Sequence, residues 1–148
     1  MVNPFFTNNG PFKFQEILTE LNIKWHENDE DLDIIDIKDL QNSKLNEITF
    51  FHSKKYKLSA SNTKASFCIT TENLKNELPK SCKPIIVDNV LVSTSIITAK
   101  FYPDSINDNF DETVKEISNT KFNNKIKFGK NVLIGKNVSI GSNCLIGH

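Results

Sequence analysis

The sequence has no arginine: all 18 of its basic residues are lysine. Together with 19 asparagines this reads as a compositional bias rather than a functional choice. Cysteine is scarce, with Cys68, Cys82 and Cys144 odd in number and widely spaced, which suits a reducing cytoplasm and fits no zinc pattern. No stretch approaches the roughly 18 apolar residues of a membrane span, so no transmembrane segment is expected. The opening MVNPFFTNNGPF lacks a basic region followed by an apolar run, so no secretory leader is expected either. The five glycines form neither glycine-rich phosphate fingerprint. His26, His52 and His148 are the histidines, and none has a partner at metal-ligand spacing or belongs to a nucleophile motif. No metal, no other cofactor and no nucleic-acid partner is therefore expected.

What is present is a soluble composition, 38% hydrophobic with a mean hydropathy of −0.36, in a chain of 148 residues, enough for one domain and a small appendage. Net charge is zero but unevenly divided. Residues 121–148 carry five lysines and no acid, whereas residues 1–120 carry 13 lysines and 18 acids. Solvated lysines at surface corners account for the basic end; a basic rim for a phosphate-bearing ligand or an acidic protein is the sharper alternative.

The basic end is also periodic. Phe122, Phe128, Ile134, Ile140 and Ile146 recur every six residues, Gly129, Gly135, Gly141 and Gly147 follow four of them, and Val132, Val138 and Cys144 sit four positions after Phe128, Ile134 and Ile140. Six matches neither the helical nor the strand period. It fits short strands joined by tight turns, each turn advancing the chain by one side of a triangular prism. The bulky residue and the small residue four later face inward. Glycine is expected to permit the turn dihedrals, and the Lys-Asn and Ser-Asn pairs at 130–131, 136–137 and 142–143 supply turn chemistry. Such repeats bury their apolar faces by stacking, about three or more units being needed. Residues 122–148 give about one and a half coils, so the chain is expected to be part of a longer protein.

Residues 1–102 are expected to form a small α/β domain, with 103–121 as a polar connection. Phe14, Ile17, Leu18 and Leu21 make a helical stripe over 11–22, with Pro11 in its first turn. The acidic stretch from Glu27 to Asp33 lacks the glycine and spacing of a calcium loop and reads as a solvated turn. Strands are expected at 34–37, 48–51, 66–70 and 84–87, with helices at 54–61, 71–78 and 89–101.

The segment Ile48-Thr49-Phe50-Phe51-His52-Ser53-Lys54-Lys55-Tyr56 holds the candidate site. Phe50 at a strand end and Tyr56 in the next helix bracket one loop and can sandwich a flat base. Ser53 can bond a base edge, and Lys54 and Lys55 can meet phosphate. Ordinary packing of the two rings is the alternative reading.

Several segments resemble UDP-3-O-(3-hydroxyacyl)glucosamine N-acyltransferase of lipid A biosynthesis. They are Asp36-Ile37 through Ile48-Thr49-Phe50, Lys55-Tyr56, Thr63-Lys64-Ala65-Ser66 into Phe67-Cys68-Ile69, Pro84-Ile85-Ile86-Val87 and Phe101-Tyr102-Pro103, joined to the six-residue ladder. The resemblance implies a uridine-binding α/β N-terminal domain followed by the start of a left-handed parallel β-helix at 122–148. It implies that Phe50 and Tyr56 stack on the uracil of a UDP-linked glucosamine. The family's usual Asn falls on Ser53, the possible polar contact to the base, and its usual Pro on Lys54. It further implies a cytoplasmic homotrimer and a 3-hydroxyacyl donor on a phosphopantetheine-bearing acyl carrier protein. The general-base histidine is implied to lie on later coils, beyond His148. By itself this chain is then expected to hold substrate-binding residues but no catalytic one. The alternatives are a hexapeptide acyltransferase for another sugar nucleotide and a non-catalytic solenoid binding module.

Overall fold

The structure, a computed structural model, describes residues 6–24, 32–106 and 111–148. His26 and residues 27–31 of the acidic stretch lie outside the described residues. The chain divides into two compact units, Met1–Asn107 and Asp108–His148.

The first unit is built on a parallel sheet. Its strands β1 (Phe12–Lys13), β2 (Asp33–Ile34), β3 (Asp36–Ile37), β4 (Glu47–Phe51), β5 (Phe67–Thr70) and β6 (Lys83–Ile86) are joined by helices α1 (Phe14–Glu20), α2 (Lys57–Ser61) and α3 (Val90–Phe101). The order β3-β4-β5-β6 is parallel throughout, with Ile37 opposite Ile48, Ile48 opposite Phe67 and Phe67 opposite Lys83. A parallel sheet must be covered on both faces, so its inner strands read as continuous apolar or β-branched runs; Ile48, Thr49, Phe51, Cys68, Ile69 and Thr70 are fully buried. One face packs Ile48, Phe67, Ile69 and Ile85 against α1 and α3. The other packs Phe51 and Cys68 with Leu40, Ala60, Ala65, Leu74 and Cys82. Across the first face the rings of Phe14 and Phe67 stack with centroids 4.0 Å apart.

α1 buries Phe14, Ile17 and Leu18, the expected stripe, but starts later than expected, after Pro11. Phe12 and Lys13 instead pair antiparallel with Ile34 and Asp33. The strand expected at 34–37 divides for the same reason. Ile34 pairs with β1 in one direction and Asp36 pairs with β4 in the other, leaving Ile35 exposed between them. The helix expected at 71–78 shrinks to the 3₁₀ turn Lys75–Glu77, ahead of Pro79, which disfavours helical dihedrals in its predecessor. α3 is capped by Asn89, whose side chain accepts from the Val92 N–H at 3.1 Å, and buries Val90, Ser93, Ile97 and Phe101.

In the second unit, β7 (Lys115–Glu116) pairs antiparallel with β9 (Leu133–Ile134), and β8 (Lys127–Phe128) pairs parallel with β10 (Leu145–Ile146). β7 and the buried Ile117 fall in the stretch read from sequence as a connection; the Ile117 N–H donates to the Val132 carbonyl at 2.9 Å. The parallel pair sets Lys127 opposite Leu145 and Phe128 opposite Ile146, an offset of 18 residues, or three hexapeptides. Phe122 is buried and the other ladder residues are half-buried, as are Val132, Val138 and Cys144, while Leu133 and Leu145 point outward at 62% and 79% exposure. These are short strand pairs among the described residues, not a closed solenoid.

The turn chemistry differs from expectation. Asn131, Asn137 and Asn143 carry the left-handed dihedrals, with φ of 58°, 55° and 60°, and no described glycine does. Gly129 is needed for space instead. A Cβ there would lie 2.9 Å from the Gly147 carbonyl carbon and from the His148 nitrogen.

Candidate functional site

Parallel α/β sheets present ligands to the carboxyl ends of their strands, where the loops leave. In the first unit a cleft of about 350 Å³ opens at the ends of β3 and β4, lined by Asp39, Leu40, Gln41, Phe50, His52, Tyr56 and Ser59. Its size falls at the lower end of the range for small-molecule sites.

Each lining group is placed by a local device. Phe50 is the penultimate residue of β4; it alternates with the buried Thr49 and Phe51 and is itself only half-buried. Ser53 caps the 3₁₀ turn Lys54–Tyr56, its Oγ accepting from the Lys55 N–H at 3.4 Å. That turn presents Tyr56, 41% exposed, three residues before Ser59 on α2 and hence on the same helical face. Asp39 organises the turn after β3. Its Oδ1 accepts from the N–H groups of Gln41 at 2.9 Å and Asn42 at 3.0 Å, and its Oδ2 from the Asn42 side-chain amide at 2.8 Å. The Asn42 amide, followed by the two backbone donors, holds the Asp39 carboxyl below its ordinary range against the opposing effect of burial. The turn is anchored beneath by the buried pair Ser43 and Thr63, whose hydroxyls lie 2.8 Å apart.

Of the residues singled out in the sequence, the fold brings Phe50 and Tyr56 to one cleft. Tyr56 touches the His52 ring, centroids 5.4 Å apart at 49°. Ser53 and Lys54 are not lining residues, and Lys55 leans its Nζ over Tyr56 at 5.8 Å from the ring centroid. Asp39, Gln41 and Ser59 escaped the sequence reading because they reach the site through β3–β4 pairing and the first turn of α2. The Asp39-x-x-Asn42 spacing, an Asx-type turn signal, marks part of this wall. His148 is far along the chain in the other unit, exposed, with its Nδ1 accepting from the Lys130 N–H at 3.1 Å. Among the described residues no group of three or more His, Cys, Asp or Glu side chains is placed to hold a metal ion. No described helix is long and apolar enough to cross a membrane.

Chemically, the cleft offers the aromatic rings of Phe50 and Tyr56, the Asp39 carboxylate, and the polar side chains of Gln41, His52 and Ser59, a set that can stack on and hydrogen-bond a flat polar ring.

Comparison with known proteins bears on the family to which the chain is similar. Residues 31–99 match the family described as UDP-3-O-(3-hydroxymyristoyl) glucosamine N-acyltransferase, LpxD. The chain is 34% identical over 100 residues to the UDP-3-O-acylglucosamine N-acyltransferase of Rickettsia prowazekii (strain Madrid E) and 33% identical over 100 residues to that of Rickettsia typhi (strain ATCC VR-144 / Wilmington). Each match covers 66% of this chain and 29% of the relative. The resemblance read from the sequence is borne out, and the matched family region contains every residue of the cleft.

Proposed function

We propose that this chain, a relative of the UDP-3-O-acylglucosamine N-acyltransferases, binds the uridine end of a UDP-linked glucosamine in the cleft at the ends of β3 and β4. Phe50 and Tyr56 take the two faces of the uracil. The observation that carries this reading is that these two aromatic residues line one cleft within the matched region. Base–aromatic stacking contributes roughly 1–3 kcal/mol per base. Ser53 serves the base by fixing the turn that presents Tyr56.

The second unit supports the rest of the proposal. Its 18-residue parallel register is what one turn of a three-sided coil requires, and we read it as the opening of a left-handed parallel β-helix. The whole protein then transfers a 3-hydroxyacyl chain from acyl carrier protein to the amine of the UDP-linked, O-acylated glucosamine in lipid A biosynthesis. It works as a cytoplasmic homotrimer without a metal. The amine nitrogen attacks the thioester carbonyl while a histidine of the β-helix takes its proton, and the carrier's thiolate leaves.

Calorimetric titration with UMP tests the binding claim. The unaltered chain is expected to bind, and Phe50→Ala and Tyr56→Ala are each expected to weaken binding by roughly 5- to 150-fold, with circular dichroism unchanged. Equal affinity in all three proteins would instead favour an acyltransferase for another sugar nucleotide.

A further inference from the structure

Stacking holds a base by its π-faces and leaves it free to turn in its own plane. It does not decide which way the sugar and the phosphates leave the cleft. Charge can decide it. Among the described residues that line the cleft, Asp39 supplies the one carboxylate. Its Oδ1 accepts the Gln41 and Asn42 N–H groups at 2.9 and 3.0 Å, and its Oδ2 accepts the Asn42 side-chain amide at 2.8 Å and has room for a second donor. Those donors keep the carboxyl ionised at neutral pH. An ionised carboxylate only accepts, so it suits neutral hydroxyls and repels phosphates. The turn after β4 has the opposite sign. Lys54 and Lys55 are exposed and, among the described residues, neither is paired with an acid, whereas Lys57 is held by Glu77 at 2.8 Å. Lys55 Nζ stands 5.8 Å from the centroid of the Tyr56 ring.

We propose that Asp39 sets the direction of the bound nucleotide: its Oδ2 accepts a hydroxyl of the ribose diol, and its charge turns the phosphates toward Lys54 and Lys55. This rests on the uridine reading of the same cleft. Carboxylates bind ribose hydroxyls in other α/β nucleotide sites by the same acceptor chemistry. The role requires the carboxylate charge and not only the turn that Asp39 organises, and the two are separable. Asn42→Ala removes the side-chain donor to Oδ2 but leaves the carboxylate and its two backbone N–H partners in place.

The experiment is titration of the full chain with uridine, 2′,3′-dideoxyuridine and UMP. The unaltered chain is expected to favour uridine over the dideoxynucleoside by roughly tenfold. Asp39→Asn is expected to bring that ratio close to one, and Asn42→Ala to keep it. The unaltered chain is also expected to favour UMP over uridine, a preference lost when Lys54→Gln and Lys55→Gln are combined and little changed in Asp39→Asn. Equal binding of uridine and dideoxyuridine by the unaltered chain would overturn the assignment to Asp39. So would a hydroxyl preference that survives Asp39→Asn, or one that Asn42→Ala abolishes equally. A marked gain in the preference for UMP in Asp39→Asn would set the phosphate beside the carboxylate and overturn the proposed direction. Each of these results leaves a uridine-binding cleft. Absence of uridine and UMP binding altogether would remove both the uridine reading and this inference.

Discussion

Tyr102 donates its hydroxyl hydrogen to Asp36 Oδ1 at 2.6 Å, tying the end of α3 to the first strand of the parallel sheet. Asp36 is buried and also accepts from the Ile37 N–H at 2.8 Å and pairs with Lys38. Burial first, and then the Asp36 carboxylate that accepts its proton, push the Tyr102 phenol up to about 12. The folded state thus holds this proton more tightly than the unfolded chain, whose tyrosines titrate near 10. The stabilisation is complete below about pH 10 and is lost as pH rises through about 12. Tyr102→Phe is expected to cost about 1–2 kcal/mol in urea unfolding at neutral pH, because Asp36 loses a partner. The gap between the two proteins should then shrink toward the alkaline end; curves that stay parallel would contradict this role.

Gly129 and Gly147 are expected to behave differently although they occupy equivalent places in the repeat. Gly129→Ala places a methyl group 2.9 Å from the backbone of Gly147 and His148 and should cost about 1–3 kcal/mol. At Gly147 a Cβ meets nothing within 4 Å, and Gly147→Ala should change stability by less than about 0.5 kcal/mol. Hydrogen exchange provides the readout: the Gly129 N–H, bonded to the Ile146 carbonyl at 2.9 Å, should lose protection in the neighbouring amides of the first variant and keep it in the second.

Thiol labelling should separate the three cysteines. Cys68 and Cys82 are buried together, and hydrogen bonding to Cys82 followed by burial push the Cys68 thiol well up. Cys144, half-buried on the ladder, should react first with iodoacetamide in the native protein, and the other two only with denaturant. Rapid labelling of all three would contradict the packing of the second sheet face.

The sequence made the ladder legible because a six-residue inward period is a steric requirement that few other arrangements share. The half-burial of Phe128, Ile134 and Ile140 follows it. Phe50 and Tyr56 were legible because a strand end and the following turn are local. The split at Ile35 was not, since it arises when β1 and β4 compete for the same apolar run from opposite directions. Nor was the division of labour between asparagine and glycine, because the crowding at Gly129 comes from residues 18 and 19 positions later. Gln41 and Ser59 stayed hidden for the same reason: each lies in a polar stretch, and only the parallel pairing of β3 with β4 brings them to one cleft.

The most direct measurement is an NMR spectrum of UMP bound to the chain, with intermolecular NOEs read from the uracil H5 and H6 protons. A base held between Phe50 and Tyr56 should show NOEs to both rings and upfield ring-current shifts that disappear in Tyr56→Ala. Bound UMP whose uracil protons contact neither ring would contradict the assignment of this cleft as the uridine site.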